Sequence, residues 1–221
     1  MKKRLGTLIA IILMVIGGSI YFHAAEHKTV PPEKAEDHTI ASSETENDAL
    51  YKALQQVSFI QQGQSDAKYS FYAVIDPNCS FCHALFEASQ TAIRTGKLAV
   101  RWVVLGVVKP SSPLKAMAIL NAHDPLKALV DNENAFNYDT EEGGIQPLSR
   151  ITDAELNKLN QNIDALKIFI HAVPVIIYKN KQGEIRISGG DKLPLAASKK
   201  ALEANQAKVN DFLAHGVDRA F

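Results

Sequence analysis

A chain of 221 residues with 46% apolar side chains is typical of one globular domain with an appendage, and it excludes a largely disordered protein. Its 24 basic and 24 acidic residues balance, and without a long basic run nucleic acid is excluded as the main partner. Only two cysteines are present, Cys79 and Cys82, so the protein is not a disulfide-rich scaffold. Two cysteines with two residues between them indicate a redox pair or part of a metal site.

Residues 1–22 predict export of the rest of the chain. Basic residues at positions 2–4 precede the segment 5–22, which has no charged side chain. As a helix this segment would be about 27 Å long, close to the thickness of the hydrocarbon core of a bilayer. The alternative is a cleaved signal peptide, but a cut after Ala24 or Ala25 would leave no small residue at position −3. We therefore expect residues 1–22 to be a signal anchor with its basic end in the cytoplasm.

The segment that follows predicts a tether between the anchor and a folded domain. Residues 23–47 are polar and contain two adjacent prolines, a composition typical of a flexible linker. Asp48 is a good N-cap, and an apolar face with i, i+4, i+7 spacing starts at Leu50, so residues 48–64 predict a linker helix. We expect the remainder, residues 65–221, to form one α/β domain.

Residues 69–108 predict a strand, a helix and a second strand. The run 69–75 is aromatic and β-branched, as in a buried strand, and a Pro-Asn turn ends it. Residues 83–93 predict a helix that Gly96 closes, and the apolar run 98–108 predicts the next strand. This spacing is typical of a right-handed crossover in a partly parallel sheet.

A helical insertion is expected at about 111–170, before a second pair of strands. Thr152 and Glu155 have the spacing of a capping box at the start of its third helix. A hairpin is predicted over residues 175–188 and a last helix over 194–213. The helical patterns of the insertion lie at 114–121, 125–131 and 152–169.

The cysteine pair lies where a strand and a Pro-Asn turn lead into a helix. The first turn of a helix has unpaired N–H groups and a partial positive charge, and both favour a thiolate over a thiol. Cys82 lies one turn further along the same side, so the two sulfurs can close a small-ring disulfide. We expect Cys79, at the exposed end, to attack a substrate and Cys82 to resolve the mixed disulfide.

Three neighbouring features each allow two interpretations. His83 would add positive charge near the pair, or it would simply be solvated on the exposed first turn. Asp76 would influence the thiolate, or it would only form the turn. Pro174 would open an edge strand in the trans form. A cis bond there would instead turn the backbone of Val173 towards the cysteines, free to pair with a substrate strand.

A metal site is disfavoured by the small number of ligands. Structural zinc needs about four ligands, and only two cysteines exist to supply them. We expect no cofactor other than the redox-active disulfide between Cys79 and Cys82.

Beyond these local patterns, several segments resemble one family in their residues, order and spacing. They are residues 76–82 (Asp-Pro-Asn-Cys-Ser-Phe-Cys), 96–98, 105–113, 118–120 and 123–125. These segments are similar to the catalytic domain of the DsbC/DsbG thiol–disulfide isomerases of the bacterial periplasm, and closer to DsbG. The resemblance extends over residues 50–193. It implies a thioredoxin fold with a helical insertion, Cys79 as nucleophile, Cys82 as resolving cysteine and Pro174 as a cis-proline.

The sequence departs from this family in three ways. The N-terminal dimerisation domain of the family is absent, so we expect a monomer. Val173 stands where DsbC and DsbG have threonine, and valine there is more typical of the DsbA oxidases. Ser80 and Phe81 replace the Gly-Tyr or Pro-Tyr pair between the cysteines.

These patterns together predict a DsbG/DsbC-like disulfide reductase or isomerase that acts on cysteines of exported proteins. The substrate site would include Val173, Pro174, Ser80 and Phe81, with His83 and Asp76 in support. The partners would be client proteins, a membrane redox protein of the DsbD or DsbB type, and the inner membrane through residues 5–22, with the domain in the periplasm. A DsbA-like oxidase of the same fold and a non-catalytic chaperone or metal-binding module are the alternatives.

Overall fold

A five-stranded mixed sheet organises residues 39–189, which are the residues described in this computed structural model, with side chains described from Glu46 onward. The strands are β1 (Ile60–Gln62), β2 (Tyr69–Ile75), β3 (Leu98–Val104), β4 (Val175–Lys179) and β5 (Ile185–Gly189). Their spatial order is β1-β3-β2-β4-β5; β2 and β3 are parallel, and the other neighbours are antiparallel.

Five helices surround the sheet in the described part of the chain. The second helix connects the parallel strands β2 and β3, and the last three form an insertion between β3 and β4. This order confirms the predicted α/β thioredoxin-like fold with a helical insertion. The helices are α1 (Thr39–Leu54), α2 (Ser80–Arg94), α3 (Ser112–Leu120), α4 (Pro125–Asn134) and α5 (Asp153–Leu166).

The sheet buries both of its faces. Phe71 on β2 and Trp102 on β3 pack on one face with apolar side chains of α2, α3 and α4. Val74 and Val103 point to the opposite face, where Leu50 and other apolar residues of α1 cover them. Because both faces are covered, β2 and β3 are nearly continuous apolar runs rather than alternating ones.

The predicted strand over 98–108 is too long, since β3 ends at Val104. Gly106 lies against the first turn of α3, where an added Cβ would be 2.6 Å from the Cα of Pro113. The backbone N–H groups of Val107 and Val108 donate to the carboxylate of Asp76 instead of to a neighbouring strand. A buried side chain therefore ends the strand, although the apolar run continues.

The boundaries before β2 also differ from the prediction. The helix begins at Thr39, not at Asp48, and it ends at Leu54. Residues 60–62, expected to be helical, form β1, whose Gln62 accepts a hydrogen bond from the indole N–H of Trp102 at 2.8 Å. A three-residue strand with two glutamines has no apolar alternation, so local pattern does not indicate it.

Other predicted elements are found where the sequence places them. β2 has the predicted bounds, the hairpin β4–β5 is present, and Thr152 forms a capping box with Glu155. No helix within residues 39–189 is long and apolar enough to cross a membrane. The predicted anchor 1–22 and the helix over 194–213 lie outside the described residues.

The turn between β1 and β2 gives a test of how closely β1 packs on β3. Gly63 has φ +91°, and an added Cβ would lie 2.5 Å from the backbone oxygen of Leu98. Gly183 has a similar φ, +80°, but no atom within 4 Å of such a Cβ. We expect Gly183→Ala to cost about 1 kcal/mol and Gly63→Ala about 3 kcal/mol in urea unfolding. Equal losses would mean that the close approach to β3 is not a constraint.

Candidate active site

The start of α2 holds the two cysteines. Cys79 is the N-cap with an extended backbone, and its Sγ accepts a hydrogen bond from the backbone N–H of Cys82 at 3.1 Å. The two residues form a disulfide, with their Cα atoms 5.1 Å apart. After reduction, the same N–H group and the positive end of the helix would stabilise a thiolate on Cys79.

Cys79 is less accessible than expected, but it is still the outer cysteine of the pair. Its exposed fraction is 5%, against 1% for Cys82, so the predicted exposed position is wrong. Cys79 lies in the wall of a groove of about 650 Å³, and Cys82 does not line that groove. Access to the disulfide is therefore through the groove and to the sulfur of Cys79.

The loop before β4 also lines the groove and lies beside the disulfide. The peptide bond between Val173 and Pro174 is cis, as expected. The backbone oxygen of Val173 lies 3.7 Å from the Sγ of Cys79. This places the main chain of Val173 beside the outer sulfur, as the cis alternative requires.

Asp76 organises the loops around the cysteines. Its buried carboxylate accepts hydrogen bonds from the N–H of Asn78 at 2.9 Å and the hydroxyl of Ser112 at 2.8 Å. The N–H groups of Val107 and Val108 donate to its other oxygen at 2.7 and 3.0 Å. Asp76 thus does more than form a turn, since it joins the end of β2 to the segment after β3 and to α3.

Asn78 extends this network into the insertion, and the sequence analysis missed it. Its side-chain oxygen accepts from the ammonium group of Lys115 at 3.1 Å and from the N–H of Gly143 at 3.2 Å. Lys115 is buried and also donates to Glu142 at 3.0 Å. The signal in the sequence was a single lysine within the apolar helix pattern of 114–121, because a buried lysine requires partners.

His83 is buried rather than solvated on an exposed turn. Its Nδ1 lies 3.0 Å from Oε2 of Glu133, and its ring stacks on Phe136 with the centroids 4.6 Å apart. Burial raises the pKa of the Glu133 carboxyl, although the hydrogen bond with His83 opposes this effect. Glu133 and Phe136 had no motif to mark them in the sequence, because only the fold brings α4 to α2.

The two residues between the cysteines are also held in place. Ser80 is buried, and its hydroxyl donates to Oε1 of Glu141 at 2.9 Å. Phe81 is buried at the floor of the groove. Glu141, another residue missed by the sequence analysis, lines the same groove.

The groove has apolar walls with a few charged groups. Val107 and Val108, which line it, are 58% and 45% exposed and leave apolar side chains accessible there. The charged or ionisable residues among the rest of its lining are Glu141, Lys167 and His171. Across residues 39–189, no three His, Cys, Asp or Glu side chains are grouped as a metal site would require.

The hydrogen bonds that Asp76 accepts predict that even a conservative substitution at this position strongly destabilises the fold. In Asp76→Asn an amide NH₂ replaces one acceptor oxygen, so at least one buried N–H loses its partner in either orientation. We expect a loss of about 3 kcal/mol in urea unfolding. The matched control is Asp131→Asn on the exposed face of α4, where the surface pair with Lys127 contributes less than about 1 kcal/mol. Similar losses for both variants would contradict this role of Asp76.

The buried Glu133 predicts a pH dependence of stability. Because the pKa of Glu133 is raised by folding, its contribution is fully present below the unfolded pKa and is lost as pH rises through the folded pKa. The free energy of unfolding of the parent, relative to Glu133→Gln, should therefore fall as the pH rises above about 4.3, the pKa of a glutamate in an unfolded chain. The groups that face Glu133 are His83, Asn132 and Glu87. Parallel curves for the two proteins would show that the carboxyl is not desolvated.

Two thiol:disulfide interchange proteins are similar to this chain in sequence. The thiol:disulfide interchange protein DsbG of Pseudomonas aeruginosa is 30% identical over 146 residues, which are 66% of this chain and 56% of that protein. DsbG of Escherichia coli is 25% identical over 145 residues, 64% of this chain and 56% of that protein. The chain thus spans about half the length of the curated relatives it matches. No protein-family model matches the sequence.

Solved structures are more distant in sequence. The catalytic domain of Proteus mirabilis ScsC has a TM-score of 0.49 and 18% identity, over 75% of this chain and 98% of that one. A periplasmic thioredoxin-like protein from Salmonella enterica serovar Typhimurium has a TM-score of 0.49 and 17% identity, over 72% and 96%. The sequence relatives confirm the resemblance to DsbG: this chain is similar to two thiol:disulfide interchange proteins, and its own Cys-Ser-Phe-Cys segment lies at the start of α2.

Proposed function

We propose that the chain catalyses thiol–disulfide exchange on cysteine-containing exported proteins, with Cys79 as the nucleophile and Cys82 as the resolving cysteine. The observation that carries this proposal is the disulfide at the start of α2, of whose two cysteines only Cys79 lines the groove. A structural disulfide needs no such access, whereas exchange requires that a client sulfur reach the pair.

In the reducing direction, the Cys79 thiolate attacks one sulfur of a client disulfide. A bond forms between Cys79 and the client, and the second client sulfur leaves as a thiolate that takes up a proton. The Cys82 thiolate then attacks the Sγ of Cys79 and releases the first client sulfur. Two electrons have then moved from the protein to the client, and the bond between Cys79 and Cys82 has formed again.

The backbone of Val173 would hold the client during these steps. Its carbonyl beside Cys79 is available to pair with an extended client segment, as a strand edge does, and Val107 and Val108 would contact the apolar side chains of that segment. Ser80 and Phe81 form the floor on which the client cysteine would rest. His83 and Asp76 lie behind this surface and support it through Glu133 and the loop network.

The similarity to DsbG favours a reductase or isomerase. Such an activity needs a donor that returns two electrons to the pair, which a membrane protein of the DsbD type would supply. We propose that the domain works in the periplasm, tethered by residues 5–22. Val173 before the cis-proline favours the second candidate, a DsbA-like oxidase that a DsbB-type partner would keep oxidised.

Substitution of each cysteine tests the assigned roles. With a disulfide-bonded peptide as substrate, Cys79→Ser should abolish exchange completely, because the remaining cysteine, Cys82, does not line the groove. Cys82→Ser should accumulate a covalent peptide adduct on Cys79, since nothing resolves it. Non-reducing electrophoresis and mass spectrometry would detect the adduct. Loss of exchange in both variants without an adduct would contradict the order of roles, and a parent protein that exchanges no disulfide would indicate a non-catalytic module.

A further inference from the structure

The contact between Ser80 and Glu141 joins the cysteine segment to a carboxylate. Ser80 directly follows Cys79, and its buried hydroxyl donates to Oε1 of Glu141 at 2.9 Å. Glu141 comes from the loop between α4 and α5, and it lines the groove together with Cys79. A negative group is thus placed next to the residue that would become an anion.

The loop holds Glu141 in a conformation that glutamate does not favour. Its φ is +50°, which costs a residue with a side chain about 1 kcal/mol or more. The neighbouring residues are fixed: Asn137 and Glu142 exchange two backbone hydrogen bonds, and the carboxylate of Glu142 binds Lys115 at 3.0 Å. The backbone oxygen of Thr140 accepts a hydrogen bond from the ammonium group of Lys109. The fold therefore maintains the position of Glu141 against a local cost.

We propose that Glu141 is a positioning residue that acts through Ser80 to set the redox balance of the Cys79–Cys82 pair. This inference rests on the proposed function. A hydroxyl donates a single hydrogen, so Ser80 bonded to the carboxylate cannot donate to a thiolate on Cys79. The charge of the carboxylate also repels that thiolate. Both effects disfavour the reduced form and make the disulfide a weaker oxidant.

Other polar and charged groups lie near the cysteines, and some of them stabilise the Cys79 thiolate. The effect of Glu141 has to be distinguished from theirs. The N–H of Cys82 and the positive end of α2 stabilise the thiolate. Lys115 is engaged by Asn78, Glu142 and the oxygen of Gly143. Lys167 and His171 line the groove as further ionisable groups. Glu141 is the groove-lining carboxylate among the described residues, and its contact with Ser80 places it next to the cysteines.

The redox equilibrium between the Cys79–Cys82 pair and glutathione can be measured with the full chain in mild detergent. Two glutathione thiols reduce the Cys79–Cys82 disulfide, giving the dithiol protein and one glutathione disulfide. Where Cys79 is a thiolate, one proton is released to the buffer. We expect Glu141→Gln to raise the equilibrium constant of this reduction by about three- to tenfold. The pH profile of thiolate absorbance should move to lower pH in the same variant.

Three further variants make the test specific. Glu141→Gly removes the side chain at a φ that glycine adopts readily, so it should shift the equilibrium in the same direction without loss of stability. In a Ser80→Ala background, Glu141→Gln should have a smaller effect, because the part that passes through the hydroxyl is gone. Asp139→Asn is the matched control, since it removes an exposed carboxylate from the same loop. It should shift the equilibrium by less than about twofold.

The outcomes distinguish this inference from the proposed function. A parent protein that shows a two-electron transition, left unmoved by Glu141→Gln and Glu141→Gly, overturns the inference alone. An equal shift in Asp139→Asn also overturns it, because the effect would then be the charge of the loop in general. A parent without any reversible transition overturns the proposed function and the inference with it.

Discussion

The buried carboxylate of Asp76 fixes the place where the cysteines lie. A buried polar side chain is costly unless it is hydrogen-bonded, and here four donors from three segments provide the bonds. Separation of these segments would leave buried polar atoms without hydrogen bonds. The end of β2, the segment after β3 and the start of α3 therefore behave as one unit, and Cys79 is three residues from its centre.

The helical insertion belongs to the active site as much as the sheet does. Its residues bind the chain on both sides of the cysteines: Asn132 donates to the oxygen of Pro77 at 3.1 Å, and the neighbouring Glu133 pairs with His83. Lys115 and Glu141 add contacts to Asn78 and Ser80. A relative with the same two cysteines but another insertion would have different electrostatics around the same sulfurs. The reactivity of the pair is therefore a property of the insertion as well as of the Cys-x-x-Cys segment.

Local pattern predicted the parts of the fold whose cause is local. β2 is a compact β-branched run, the capping box of α5 is a three-residue spacing, and the position of Cys79 at a helix start follows from the turn before it. The end of β3 could not be predicted from local pattern. The carboxylate that accepts hydrogen bonds from the N–H groups of Val107 and Val108 belongs to Asp76, about 30 residues earlier in the chain. The error over His83 has a similar origin, since exposure was judged from α2 alone while the side chains that bury it come from α4.

The low exposure of Cys79 constrains what the proposed enzyme could act on. A cysteine that is 5% exposed and lines a groove can be attacked only by a client cysteine that enters the groove. A disulfide within a rigid, folded surface would be held away by the other residues that line the groove, among them Val107, Val108 and Val173. An extended segment could enter, because its backbone can pair with Val173 while its side chains alternate between the groove and solvent. The geometry of the groove would thus select flexible clients before any side-chain recognition takes place.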